Sequence, residues 1–327
     1  MSGAIDMHAH FYGETLLAAL AARGAAPAVE RDAEGRRWLQ APTARFPVTP
    51  VMCEPAARVA LLDAAGVERQ LLTFPGALGA DALPAAEAAA LIPDCNDELA
   101  AVRAAWPGRF ATLAGLPFAD PDAAIAELER ACGRLGHRGF ILPANFVLEL
   151  ARLDALLPLL RAADALSAHV MVHAGPRPGE LGQAARFDDL QMHRGSTVAL
   201  QASMTHATLT LMYSDLLERF PRLTLQVINL GGALPFLLER MDQIAMTRRP
   251  EDPLPSSLAP RVYVDTASFG PRAIALAARV FGAGRVLLGS DCPIFPLAAA
   301  VEAVAQAELT AVQRAAIARG NAQALLG

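Results

Sequence analysis

An eightfold alternation limits the fold of this chain more than any other feature. Short apolar runs at 4–8, 70–74, 110–116, 139–142, 168–173, 223–229, 261–265 and 285–289 are separated by stretches of helical period. The runs are short and almost continuously apolar, as strands buried on both faces of a parallel sheet must be. The intervening stretches at 56–65, 90–105, 122–134, 153–165, 234–246 and 271–281, and a last one at 297–326, read as helices. Eight strand–helix units predict an α/β fold, a closed (β/α)8 TIM barrel, with residues 1–327 as a single domain. An open doubly wound sheet is the rival, but no Gly-rich phosphate turn follows the first strand. Segment 30–52 interrupts the alternation after strand one. Its Arg37-Trp38-Leu39-Gln40 and Ala44-Arg45-Phe46-Pro47-Val48 predict a small hairpin inserted over the barrel mouth. Segment 176–203, rich in Gly, Pro, Arg and His, predicts a substrate loop or an intersubunit contact.

In such a barrel the strand C-termini carry the chemistry. The polar residues there are His8 and His10, His173, Asn229, Asp265 and Asp291. His8 and His10 are two apart on an extended strand, so both imidazoles face one point. Val170-Met171-Val172-His173 delivers a third imidazole, and Leu288-Gly289-Ser290-Asp291 a carboxylate on the eighth strand, which neighbours the first. Three imidazoles and one carboxylate suit a single divalent cation with a position left for water. Zinc is the expected metal, and Mn2+ or Fe2+ also suit this donor set. A bound metal would bring the water pKa toward neutrality, and Asp291 could accept its proton. No Lys ends the fourth strand, so a carbamylated-lysine bridge between two metals is not expected. His137 and His169 precede strands and belong at the barrel floor. His193 and His206 read as surface or helix residues. Asp265 reads as a turn cap, with substrate binding as the other possibility.

Composition narrows the partners. A net charge of −5 offers no electrostatic case for nucleic acid. No apolar run reaches the roughly 18 residues of a membrane span, and the first residues resemble no signal peptide. Four scattered cysteines form no CxxC pair, which points to a reducing, cytoplasmic setting.

The chain resembles the amidohydrolase superfamily, and within it the amidohydrolase-related group of aminocarboxymuconate-semialdehyde decarboxylase. The resemblance spans nearly the whole chain. It is carried by Asp6-Met7-His8-Ala9-His10, residues 55–67, Asn96-Asp97-Glu98-Leu99-Ala100, residues 116–142, Phe220-Pro221-Arg222-Leu223, Gly231-Gly232-Ala233-Leu234-Pro235 with Arg240, and Gly289-Ser290-Asp291-Cys292-Pro293. It implies a zinc-dependent barrel with His8, His10, His173 and Asp291 as metal ligands. It also implies that Arg58 binds a substrate carboxylate, that segment 30–52 covers the site, and that the protein is a homodimer. Read as a residue alone, Arg58 is equally a solvated charge on a helix face. One position departs from the pattern: Asn229 stands where the family has a histidine before Gly-Gly. An amide can orient a water or a carbonyl, but it carries no proton at neutral pH.

The resulting expectation is a metal-dependent, non-oxidative decarboxylase, a C–C lyase, acting on a small unsaturated or aromatic carboxylic acid. Asp291 and Asn229 are its candidate catalytic residues. A hydrolase of an ester, lactone or amide is the alternative, because hydrolysis needs no proton carrier at position 229. A metal-binding barrel with little catalytic activity is the third.

Overall fold

The structure, a computed structural model, describes residues 3–41, 44–183 and 192–327. Its strands are β1 (Ala4–His10), β2 (Ala28–Arg31), β3 (Arg37–Gln40), β4 (Arg45–Pro47), β5 (Val67–Thr73), β6 (Phe110–Leu113), β7 (Gly139–Pro143), β8 (His169–His173), β9 (Thr224–Val227), β10 (Tyr263–Asp265) and β11 (Val286–Leu287). β1, β5 and β6 pair in that order, and β7 to β11 pair in sequence order, all parallel. Two contacts close the ring. Ala114 bridges to Phe140 between β6 and β7, and Ala9 bridges to Cys292 between the end of β11 and β1. The second seam is reinforced by Met7 N donating to Leu288 O at 2.8 Å and His10 N donating to Cys292 O at 2.7 Å. The outcome is the expected eight-stranded barrel, and the seam rules out an open sheet.

The local chemistry accounts for the elements. β7 and β8 are buried at every position, as parallel strands covered on both faces require. Helices Pro55–Ala65, Pro121–Gly133 and Pro271–Ala277 each begin with proline, whose missing N–H costs nothing in a first turn. Asp120 caps the second of these by accepting from Asp122 N and Ala123 N. Gly66 ends the first at φ 69°, a left-handed conformation that glycine adopts without a Cβ penalty. No described helix is long and apolar enough to cross a membrane.

Several strands are shorter than expected, the third, sixth and eighth ending at Leu113, Val227 and Leu287, and three larger features differ from expectation. A helix, Glu14–Ala21, follows β1 before the insertion begins. The insertion is a three-stranded antiparallel sheet ordered β2-β3-β4; Leu39 faces Phe46 as expected, but β2 adds a strand starting at Ala28. Ala-Val-Glu-Arg is too short and too polar at its end to announce itself as a strand. The C-terminal stretch is not one helix: Leu297–Gln306 stops, and Thr310 caps a new helix through a reciprocal contact with Gln313. Of segment 176–203, residues 184–191 lie outside the described residues.

The barrel interior is partly polar. Asp6 is fully buried and accepts from His8 N (3.1 Å), Gln70 Nε2 (2.7 Å), Ser290 N (3.0 Å) and Ser290 Oγ (2.5 Å). It thus joins β1, β5 and the turn after β11. Burial pushes its carboxyl above the usual range, against the pull of these donors. Asp6→Ala would orphan three or more buried donors at about 1–3 kcal/mol each. We predict a loss of at least about 3 kcal/mol in urea unfolding, with Asp6→Asn losing less because one acceptor remains. A loss under about 1 kcal/mol would show that the donors find other partners.

Candidate metal centre

β1 carries His8 and His10 on one face, β8 ends on His173, and the turn after β11 presents Asp291. That turn is pinned to β1, because Asp291 N donates to His8 O at 2.8 Å. Asp291 adopts φ 53°, a left-handed conformation rare for non-glycine residues and frequent at functional turns. Gly289 permits the packing: a Cβ there would lie 2.8 Å from Asp265 Cβ and 2.9 Å from His8 Cβ.

The four side chains meet as the sequence predicts. One ligand atom from each of His8, His10, His173 and Asp291 lies within 4.8 Å of all the others. His10 Nε2 is 3.1 Å from His173 Nε2 and 3.1 Å from Asp291 Oδ1, and His8 Nε2 is 3.6 Å from the same oxygen. The imidazoles are mutually near-perpendicular at 84°, 89° and 88°, like three faces of a corner.

Each Nδ1 edge is held from behind. His8 Nδ1 lies 3.1 Å from Asp265 Oδ2, His10 Nδ1 2.7 Å from Thr73 Oγ1, and His173 Nδ1 2.8 Å from Ala174 O. The carbonyl of Ala174 can only accept, so His173 donates from Nδ1 and keeps a lone pair on Nε2. The Asp265 carboxylate, 3.1 Å from His8 Nδ1, favours a proton on that nitrogen and leaves Nε2 to face the cluster. Such partners behind a ligating imidazole fix both its tautomer and its orientation.

The donor set fits a cation. Both His8 ring nitrogens are buried outside hydrogen-bond geometry, Nδ1 facing Asp265 as an ion pair and Nε2 facing no partner, and the Nε2 atoms of His10 and His173 face each other at hydrogen-bond distance. A divalent ion would satisfy these Nε2 atoms. Burial and the neighbouring imidazoles hold His173 far below its ordinary pKa, and burial also lowers His10, so both remain neutral ligands. Burial acts on His8 in the same direction, but the carboxylates of Asp265 and Asp291 outweigh it and raise the group to about 9. Asp291 resists its own burial through the hydrogen bond with His10 and the surrounding imidazoles, and stays ionised. Its side chain is 17% exposed while those of His8 and His10 are 0% and 3% exposed, so Asp291 stands on the open side.

The other candidates fall differently. Arg58 is not a solvated helix charge; it is fully buried. Its Nε donates to Val51 O (2.8 Å), Nη1 to Gln70 Oε1 (3.1 Å) and Nη2 to His10 O (2.8 Å). It ties the end of the insertion to the backbone of His10, a candidate metal ligand. Asn229 is not the end of a strand; β9 stops at Val227, and Asn229 and Leu230 form a tight turn at φ 55° and 57°. Its backbone N donates to Asp265 Oδ1 at 3.0 Å, while its own Oδ1 is buried without a partner. Asp265 does cap its turn, accepting from Ala267 N at 3.1 Å, and it also backs His8. His193 and His206 are exposed. His137 and His169 are buried before or at strand starts, with Nε2 atoms near Asn96 O (3.1 Å) and Gln226 Oε1 (2.8 Å).

A barrel that gathers three oriented imidazoles and a carboxylate at its strand ends is the scaffold of a metal-dependent enzyme. The chain belongs to the amidohydrolase family, whose model matches residues 5–327. As a member it is a metal-dependent carboxy-lyase or hydrolase. Gamma-resorcylate decarboxylase of Rhizobium radiobacter is 30% identical over 293 residues, covering 82% of this chain and 85% of that one. Among solved structures, 5-carboxyvanillate decarboxylase of Sphingomonas paucimobilis superposes with a TM-score of 0.76 at 22% identity, over 99% of both chains. Dihydroxybenzoic acid decarboxylase of Polaromonas, solved with bound manganese and 2-nitroresorcinol, superposes with a TM-score of 0.74 at 23% identity, over 99% of this chain and 97% of that one.

His10→Ala removes a ligand whose Nε2 lies 3.1 Å from both His173 and Asp291. The variant should lose its bound metal, read by elemental analysis, and its activity together. Turnover retained in a rigorously metal-free His10→Ala preparation would remove the metal from the mechanism.

Proposed function

We propose that this enzyme is a non-oxidative decarboxylase of a small aromatic carboxylic acid. The observation that carries the reading is the one-metal donor set of His8, His10, His173 and Asp291 on a chain related to a gamma-resorcylate decarboxylase. Zinc remains our first assignment, with manganese or iron compatible with the same donors.

When bound, the metal supplies a positive charge that holds and polarises substrate oxygens. The protein supplies the proton and the geometry. Protonation of the ring carbon that bears the carboxylate precedes C–C cleavage; CO2 then departs, and the bonding pair returns to the ring. Asp291, ionised and on the open side, first takes a proton from a substrate hydroxyl or a water and then passes it to that ring carbon. Asn229 is tied to Asp265 through its backbone N–H and has a buried, unpartnered amide oxygen, suited to accept from a substrate hydroxyl or a water. Arg58 acts from behind His10: its charge helps keep that imidazole neutral, which suits a ligand more than a substrate clamp. The small sheet β2-β3-β4 flanks the site through Phe46, whose ring centroid is 6.3 Å from that of Tyr12, two residues past His10.

Hydrolysis is the second reading, and Asn229 favours it. Attack by a water on an ester or lactone needs Asp291 as base and no further proton carrier.

The test is CO2 release from hydroxylated benzoates, 2,6-dihydroxybenzoate first, run beside acid release from a lactone panel. We expect CO2, abolished by chelation and restored by one equivalent of divalent metal. Lactone turnover without CO2 from any carboxylic acid would replace this reading by the second. Asn229→His should keep the metal and, by adding a proton carrier, raise decarboxylation about tenfold or more.

A further inference from the structure

A line of buried polar contacts leads from the first residue of β8 to the metal ligands. His169 Nε2 is 2.8 Å from Gln226 Oε1. Gln226 Nε2 donates to Asp265 Oδ2 at 2.8 Å and to Met7 O at 3.2 Å. Asp265 Oδ2 in turn lies 3.1 Å from His8 Nδ1. Gln226 and Asp265 are fully buried and His169 nearly so.

The direction of each hydrogen bond from His169 to Asp265 is forced, and the contact of Asp265 with His8 is an ion pair. Asp265 Oδ1 already accepts from the backbone N–H groups of Asn229 and Ala267. Both acceptors facing the amide nitrogen of Gln226, a carboxylate and a carbonyl, exclude the flipped amide. The amide oxygen must then face His169, which donates from Nε2. Burial holds His169 neutral, near a pKa of about 4, so it carries one proton and has one tautomer to choose. Gln226 lies between the apolar, buried Leu225 and Val227. An amide enclosed there costs free energy unless both its ends are used, and both are.

We infer that Gln226 is a positioning residue for the metal centre. Its amide fixes the Asp265 carboxylate, and through it the His8 tautomer that turns Nε2 toward the metal, while His169 keeps the amide from turning over. The inference rests on the metal-site reading above.

The test measures Mn2+ affinity by calorimetric titration of the metal-stripped full chain. The unsubstituted protein binds one Mn2+; failure to bind there refutes the metal-site reading itself, separately from this inference. Gln226→Met keeps the volume and removes both polar ends. Its Kd should rise about 10- to 100-fold, as should that of Asp265→Asn. Because Gln226 acts through Asp265, the double variant should bind no more weakly than the weaker single. His169→Phe, one contact further away, should weaken binding by a smaller factor. An unchanged Kd in Gln226→Met, or losses that multiply in the double variant, overturns the inference. Should Gln226→Met fail to fold, His169→Phe decides alone, an unchanged Kd overturning it.

Discussion

The seam between the first and last strands of the barrel is the constraint on which the site depends. Hydrogen bonds from Met7 N to Leu288 O, from His10 N to Cys292 O and from Asp291 N to His8 O join segments almost three hundred residues apart. The same bonds set the height of Asp291 against His8 and His10. The contacts that close the ring therefore also fix the geometry of the candidate ligand set. Gly289 belongs to the seam as well, since any side chain there would collide with His8 and Asp265. A displacement of the last strand by one residue would turn Asp291 away and unpair the closure at once.

Below this rim the barrel holds two polar networks. One joins Asp6, Gln70, Ser290 and Arg58 around β1 and β5. The other joins His169, Gln226 and Asp265 around β9 and β10. In a medium of low dielectric each unpaired member would be costly, and satisfied networks are correspondingly stiff. Their geometry matters for the metal because each touches a ligand: Arg58 holds the His10 carbonyl, and Asp265 backs the His8 imidazole. The imidazoles are thus oriented by an interior that cannot relax one group without stranding another.

The ligands were legible in the sequence for a simple reason. Strand period places His8 and His10 on one face, and a polar residue closing an apolar run marks a barrel's open end. The eight strands were legible from their buried, uninterrupted apolarity. The supporting residues were not. Thr73 backs His10 from the neighbouring β5 and Asp265 backs His8 from β10, one strand further round the ring, and proximity across a closed barrel leaves no trace in sequence spacing. Arg58 looked like a residue on a helix face because helical period alone does not say which face is covered; the insertion and the barrel wall cover it together. Gln226 was hidden inside an apolar run, where its very misfit was the available signal. The small sheet was half visible, because β3 and β4 carry aromatic and alternating residues while β2 does not.

The departure at position 229 is best understood from the turn that holds it. Asn229 and Leu230 both take left-handed backbone, a conformation that asparagine tolerates better than most residues. The turn is anchored through the Asn229 N–H to Asp265, the residue that faces His8. Its oxygen is enclosed and unpaired, and an enclosed acceptor without a donor is a standing cost in the free protein. A substrate hydroxyl or a captive water removes that cost, so binding a donor there is favoured by more than its contact alone. A neutral acceptor at 229 adds no ionised group beside Asp291, which is partly exposed on the open side of the cluster. In the proposed reaction the proton passes through Asp291, and what the amide would contribute is the orientation of whatever meets it.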